Sequence, residues 1–239
     1  MHGYCLYALI AEQSQRKQMI IIFDLDGTLL NTIDDLGYAC NYALEKTGYP
    51  TFPISAYPAK VGNGINNLIR RALPEAERTE TNIMRVREYF VPYYNEHNCD
   101  FTRPYDGMPE VLAELKAQGH KLAVASNKYQ AATEKIVNHF FPGVFDVIFG
   151  EREGVERKPN PQIVYDILDR FAERTKTADA ERQKTLYIGD SLVDYETAKN
   201  ASVPFVACSW GFVAREKLVE AGISCIVDRP QEITFFIKK

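Results

Sequence analysis

Residues Met19–Phe23 read MIIIF and run without transition into Asp24-Leu25-Asp26-Gly27-Thr28. An apolar, β-branched run with no polar alternation has to be covered on both faces, which is the pattern of a central parallel strand. Similar runs recur at Lys121–Ala125, Val144–Phe149, Thr185–Ile188, Pro204–Ala207 and Ser224–Val227. Helical spacing fills the gaps between them. Met108–Gln118 puts Val111, Leu112 and Leu115 on one face, and Gln162–Phe171 does the same with Ile163, Ile167, Leu168 and Phe171. Strands alternating with amphipathic helices predict an α/β fold, a Rossmann-like doubly wound parallel sheet. Chemistry in such sheets gathers beyond the carboxyl ends of the strands. Asp24 and Asp26 stand at such an end.

One segment breaks the alternation. Between about residues 31 and 102 the apolar positions keep helical spacing: Ile33, Leu36, Cys40, Ala43 and Leu44, then Ile65, Leu68, Ile69 and Leu73, then Ile83, Val86, Phe90 and Tyr93. The expected organisation is a catalytic core over 19–30 and 103–239, with an all-helical cap at 31–102 placed to close over a site. Residues 1–18 precede the first strand and are expected to form a leader outside the fold. Arg174–Lys184, charged and poor in apolar residues, reads as a solvated loop.

Composition narrows the partners. A net charge of −4 over 239 residues argues against nucleic acid and anionic membrane surfaces, which demand a basic face. No apolar run approaches the roughly 18–20 residues of a membrane span. Five cysteines without CxxC spacing read as reduced thiols in a cytoplasmic protein, and the four histidines show no zinc spacing. A local cationic pocket for a small anion remains compatible with the charge balance. The sequence does not fix an oligomeric state.

Two carboxylates two residues apart at the mouth of a buried strand call for a cation or a bound proton. An EF-hand is excluded because the further carboxylates of that loop are missing. FDLDGTLLNT at 23–32 resembles the first motif of the haloacid dehalogenase superfamily, and three more motifs follow in order: Ser126 in VASNK, Lys158 in RKPNP, and Asp190 with Asp194 in GDSLVD. Each stands after an expected strand or before an expected helix.

The resemblance implies a magnesium-dependent phosphatase acting through an aspartyl phosphate. Asp24 would be the nucleophile, and Asp26 the general acid and then the base that activates water. Asp24, the Asp26 carbonyl and Asp190 would hold Mg²⁺, and Asp194 would orient metal-bound waters or Lys158. Ser126, Asn127, Lys158 and Thr28 would bind phosphate. Gly62-Asn63-Gly64 is similar to the cap loop of phosphoglycolate phosphatases, and Ser209-Trp210-Gly211-Phe212 to another segment of that subgroup; either Arg70 or Arg71 could meet a substrate carboxylate. The substrate so implied is 2-phosphoglycolate. Alternatives are a nucleotide, a sugar phosphate or pyrophosphate, a β-phosphoglucomutase-like mutase, or a non-catalytic phosphate-binding regulatory module.

Overall fold

The computed structural model describes residues 18–172 and 184–237. Six parallel strands form one sheet: β1 (Ile20–Phe23), β4 (Lys121–Tyr129), β5 (Val147–Glu151), β6 (Thr185–Gly189), β7 (Phe205–Cys208) and β8 (Ile226–Val227). Their spatial order is β5-β4-β1-β6-β7-β8. All four residues of β1 are buried. Ile21 and Phe23 join the larger apolar cluster on one face, while Ile20 and Ile22 join the cluster on the other with Ile163, Val164 and Ile167. A period-two strand covered on both sides needs the unbroken apolar run the sequence shows. β1 lies between β4 and β6, where the chain order reverses. Sheets of this winding open a crevice at that point.

Three edges differ from the expected strands. β4 continues past Ala125 to Tyr129, with a shift of register between those two residues. β5 starts only at Val147 because the Asp146 carboxylate accepts from Leu122 N at 2.9 Å and from Lys116 Nζ at 3.0 Å, which holds the preceding residues out of the ladder. β8 keeps only Ile226 and Val227 of the expected four residues, although the Cys225 carbonyl still accepts from Ala207 N. Helices α4 (Met108–Ala117) and α5 (Gln130–Phe140) pack on one face. On the other lies α6 (Gln162–Ala172), and α7 (Leu192–Asn200) follows β6. A short α8 (Arg215–Glu220) follows β7.

The chain leaves the sheet through β2 (Leu30–Asn31) and returns through β3 (Arg103–Pro104), which pair antiparallel. Between them lie α1 (Ile33–Lys46), α2 (Ile65–Ala72) and α3 (Glu80–His97), with two 3₁₀ turns and no strand. Leu36, Cys40, Ala43 and Leu44 of α1 share a buried cluster with Ile83, Val86 and Phe90 of α3, the positions expected from their spacing. The Thr79 hydroxyl caps α3 by accepting from Asn82 N. The buried Asp35 carboxylate accepts from Phe101 N at 3.0 Å and Thr102 N at 2.8 Å, tying the first turn of α1 to the returning chain. Of the expected leader, Met1–Lys17 lie outside the described residues; Gln18 donates to the Gly119 carbonyl. All of the expected 174–184 loop except Lys184 also lies outside them. No helix among the described residues is long and apolar enough to cross a membrane. Cys40, Cys99, Cys208 and Cys225 are free thiols.

Candidate active site

At the end of β1, Asp24 N still donates to the Ile188 carbonyl of β6, and the chain then turns tightly as Leu29 N and Leu30 N both reach the Leu25 carbonyl. Leu25 and Leu29 fill the interior, while Asp24 and Asp26 border a common cavity. Gly27 makes the turn possible. Its φ is +90°, and a Cβ there would lie 2.7 Å from Asp190 Cγ, so neither the conformation nor the space admits a side chain.

Lys158 sits at the centre. Its Nζ is 2.7 Å from Asp24 Oδ1, 2.7 Å from Asp194 Oδ1 and 2.8 Å from the Ala125 carbonyl. Burial opposes the ammonium charge, but Asp194 and Asp24 outweigh it and hold the Lys158 pKa well above its ordinary range. The Lys158 backbone is fixed by Asn127, whose Oδ1 accepts from Lys158 N (2.9 Å) and whose Nδ2 donates to Lys158 O (3.1 Å). Asn127, expected among the phosphate groups, thus braces the lysine loop and also lines the cavity. Ser126 is buried at the cavity wall; its Oγ accepts from Lys128 N at 3.1 Å, which leaves the hydroxyl hydrogen to donate.

Asp190, at the end of β6, is held by two donors: the Thr28 hydroxyl at 3.1 Å and Phe212 N at 2.8 Å. Thr28, expected among the phosphate groups, is placed here against Asp190. It is fully buried behind the cavity, with its hydroxyl hydrogen committed to that carboxylate. Trp210 Nε1 donates to the Thr28 carbonyl, so the turn at 209–212 braces the same carboxylate from the other side.

Carboxylate oxygens of Asp24, Asp190 and Asp194 lie within 4.8 Å of one another. Asp194 already has both oxygens occupied, Oδ1 by Lys158 and Tyr187, Oδ2 by the Ser191 amide and hydroxyl. Asp24 and Asp190 line the cavity and Asp194 does not, so those two are the carboxylates placed to face an ion bound there. Burial first, then Asp194, raises the Asp24 pKa well above the usual carboxylate range despite Lys158. Burial and Asp194 push Asp190 up to about 7, against the pull of Phe212 N, Thr28 and Lys158. Two oxygen donors that resist ionising side by side fit a hard divalent cation, whose charge would return both to the carboxylate form.

The cavity holds about 370 Å³. Core residues Asp24, Asp26, Ser126, Lys158 and Asp190 line it together with Gly62, Asn63, Gly64, Leu68 and Arg71 of the helical insert. Gly62, Asn63 and Gly64 have φ of +97°, +61° and +82°. Arg71 Nη1 donates to the carbonyls of Lys60, Val61 and Gly62 at 2.9, 2.7 and 3.1 Å, bracing this left-handed run. Arg70, by contrast, faces outward and pairs with Glu80 and Asn67.

Three functional features escaped the sequence reading. Lys128 bonds Asp26, Thr32 bonds the same oxygen, and Gly211 leaves room for the Asp190 carboxylate. Lys128 was visible as a lysine just beyond an apolar run, two residues after Ser126. The other two depend on a tertiary approach that no local pattern announces.

The profile of the haloacid dehalogenase-like hydrolases matches residues 21–208. A phosphoglycolate phosphatase of Aquifex aeolicus is 32% identical over 195 residues, covering 81% of this chain and 86% of its own. That of Haemophilus influenzae is 31% identical over 216 residues, covering 87% and 93%. Among solved structures, a candidate phosphoglycolate phosphatase from Lactobacillus delbrueckii subsp. bulgaricus superimposes with a TM-score of 0.85 at 34% identity, covering 92% of this chain and 98% of its own.

Proposed function

Since the chain belongs to the haloacid dehalogenase-like hydrolases and is a phosphoric monoester hydrolase, we propose that it hydrolyses 2-phosphoglycolate, with Asp24 as nucleophile, Asp26 as acid and base, and Mg²⁺ as the metal. Asp24 attacks phosphorus and the ester oxygen leaves with a proton from Asp26. Water then attacks the aspartyl phosphate, returns its proton to Asp26, and releases inorganic phosphate. Lys158 and the Ser126 hydroxyl meet the phosphoryl oxygens, where charge must be offset for transfer. Asp24, the Asp26 carbonyl and Asp190 would hold Mg²⁺, which when bound supplies positive charge to the same oxygens. Asp194 keeps Lys158 charged and aimed.

The observation that carries the substrate reading is the single cavity shared by the phosphate end and the insert loop. We read 31–102 as a cap and Arg71 as the cation that meets the substrate carboxylate, because Arg71 lines that cavity and Arg70 does not. The names of the relatives support the same substrate. We place the reaction in the cytoplasm, consistent with the free thiols. A panel of phosphate esters assayed with and without Mg²⁺ tests this: 2-phosphoglycolate should give the highest kcat/KM and EDTA should abolish turnover. A nucleotide or sugar phosphate leading the panel would reject the substrate, and full activity in EDTA would reject the metal.

A further inference from the structure

The Lys128 ammonium is buried, with its side chain 4% exposed, and its anionic partner is Asp26 Oδ1 at 2.9 Å. The same Nζ donates to the Tyr94 hydroxyl at 2.6 Å and lies 4.8 Å from the centre of that ring. Tyr94 is itself buried on α3, stacked on Phe90 at 5.4 Å, so it offers a fixed post rather than a mobile contact. A buried ammonium is costly unless paired and hydrogen-bonded, and here both partners are supplied.

What the pair does to Asp26 follows from which oxygen it uses. Thr32 Oγ1 also donates to Asp26 Oδ1, at 2.6 Å. Both contacts therefore converge on Oδ1. Oδ2 has no partner among the described residues, and Asp26 borders the cavity. Clamping one oxygen of a carboxyl group fixes both of its torsions and aims the other oxygen at whatever occupies the cavity.

We propose that Lys128 is the positioning residue for Asp26: anchored on Tyr94, it holds Oδ1 so that Oδ2 faces the leaving oxygen of the substrate. This rests on Asp26 acting as the acid. It also makes a chemical distinction. Proton delivery matters for an alkyl leaving group, whose alkoxide is too basic to depart unaided, and matters little for an acidic phenol. A residue that places the acid is felt in proportion to the basicity of the leaving group; a residue that only stabilises the fold or binds phosphate is felt equally by all esters.

The experiment measures kcat/KM for 2,4-dinitrophenyl phosphate, ethyl phosphate and 2-phosphoglycolate with wild type, Asp26→Asn, Lys128→Met, Tyr94→Phe and the Asp26→Asn/Lys128→Met pair. Lys128→Met keeps the length of the side chain and removes the charge. It should lower the ethyl ester by roughly 10- to 100-fold and the dinitrophenyl ester by less than about threefold. Tyr94→Phe keeps the stack on Phe90, loses only the hydroxyl, and should move the same ratio in the same direction by less. The double variant should be no worse than Asp26→Asn alone, since both act through one proton transfer. An equal loss on all three esters for both Lys128→Met and Tyr94→Phe would overturn the proposal. A loss confined to 2-phosphoglycolate would also overturn it, in favour of Lys128 as a carboxylate receptor. If Asp26→Asn itself spares the ethyl ester relative to the dinitrophenyl ester, the role of Asp26 fails first, and that outcome is separable from failure at Lys128. Should Lys128→Met not fold, Tyr94→Phe decides.

Discussion

Gly211→Ala should disable the site from a position that carries no functional group. A Cβ built on Gly211 falls 2.5 Å from Asp190 Cγ, whereas ordinary contact begins near 3.4 Å. Asp190 Cβ and Oδ2 lie closer still, so the Asp190 side chain must retreat by at least about 0.9 Å. It is held by Phe212 N at 2.8 Å and Thr28 Oγ1 at 3.1 Å, and a retreat of that size stretches one or both beyond hydrogen-bonding distance. Misplacing a catalytic group by about 1 Å costs on the order of 100-fold, and overpacking of this kind costs about 1–3 kcal/mol of stability. The expected result is a folded protein with kcat/KM lowered roughly 100-fold and a raised Mg²⁺ requirement. Steady-state kinetics over a Mg²⁺ titration, with circular dichroism and a melting curve on the same preparation, measures both. A well-folded Gly211→Ala enzyme with the wild-type Mg²⁺ dependence would refute the claim that this turn positions a metal-facing carboxylate.

The remaining predictions concern the metal and the helical insert. Asp190 stands at about 7 in the folded chain against an ordinary 3.8. Its contribution to metal-free stability is therefore full below pH 4 and is lost as pH rises through about 7, on the order of 4 kcal/mol. Melting curves in EDTA should fall between about pH 4 and pH 7, Mg²⁺ should reverse the fall, and Asp190→Asn should reduce its slope; an unchanged slope in Asp190→Asn would assign the effect elsewhere. Gly62→Val should lower kcat/KM for 2-phosphoglycolate well beyond that for an aryl phosphate, because φ of +97° excludes valine; equal losses would make the loop a stability element. Arg71→Met should raise KM for 2-phosphoglycolate relative to ethyl phosphate, and an unaltered ratio would remove Arg71 as the carboxylate partner.

Elements set by continuous patterns were legible in the sequence. The apolar run at β1 requires two covered faces, and both faces are covered. Helical spacing in the insert gave the buried face of α1 against α3. Where one side chain overrides propensity, the pattern failed: Asp146 delays β5 by taking the Leu122 amide. At the site, the resemblance of four ordered motifs pointed to the convergence of Asp24, Ser126, Lys158 and Asp190; Asp24 and Asp190 follow β1 and β6 directly, Ser126 lies within β4, and Lys158 lies in the loop after β5. The roles of supporting groups were less visible. Thr28 looked like a phosphate ligand because it follows the DxD pair, yet the turn buries its hydroxyl against Asp190. Lys128 drew no reading from the sequence; its role appears only where Asp26 and Tyr94, distant in sequence, close around it. Which partner a polar side chain meets, and whether that side chain is buried, are tertiary properties that local sequence does not encode.

The central claim is that phosphate passes through Asp24. It is tested most directly by acid-quenching the enzyme during turnover, digesting it, and locating the phosphoryl group by mass spectrometry after borohydride reduction. The account predicts a hydroxylamine-labile acyl phosphate on the peptide containing Asp24, absent from Asp24→Asn, which should turn over no substrate. A phosphoryl group trapped on another residue, or an Asp24→Asn enzyme that still hydrolyses substrate, would contradict it.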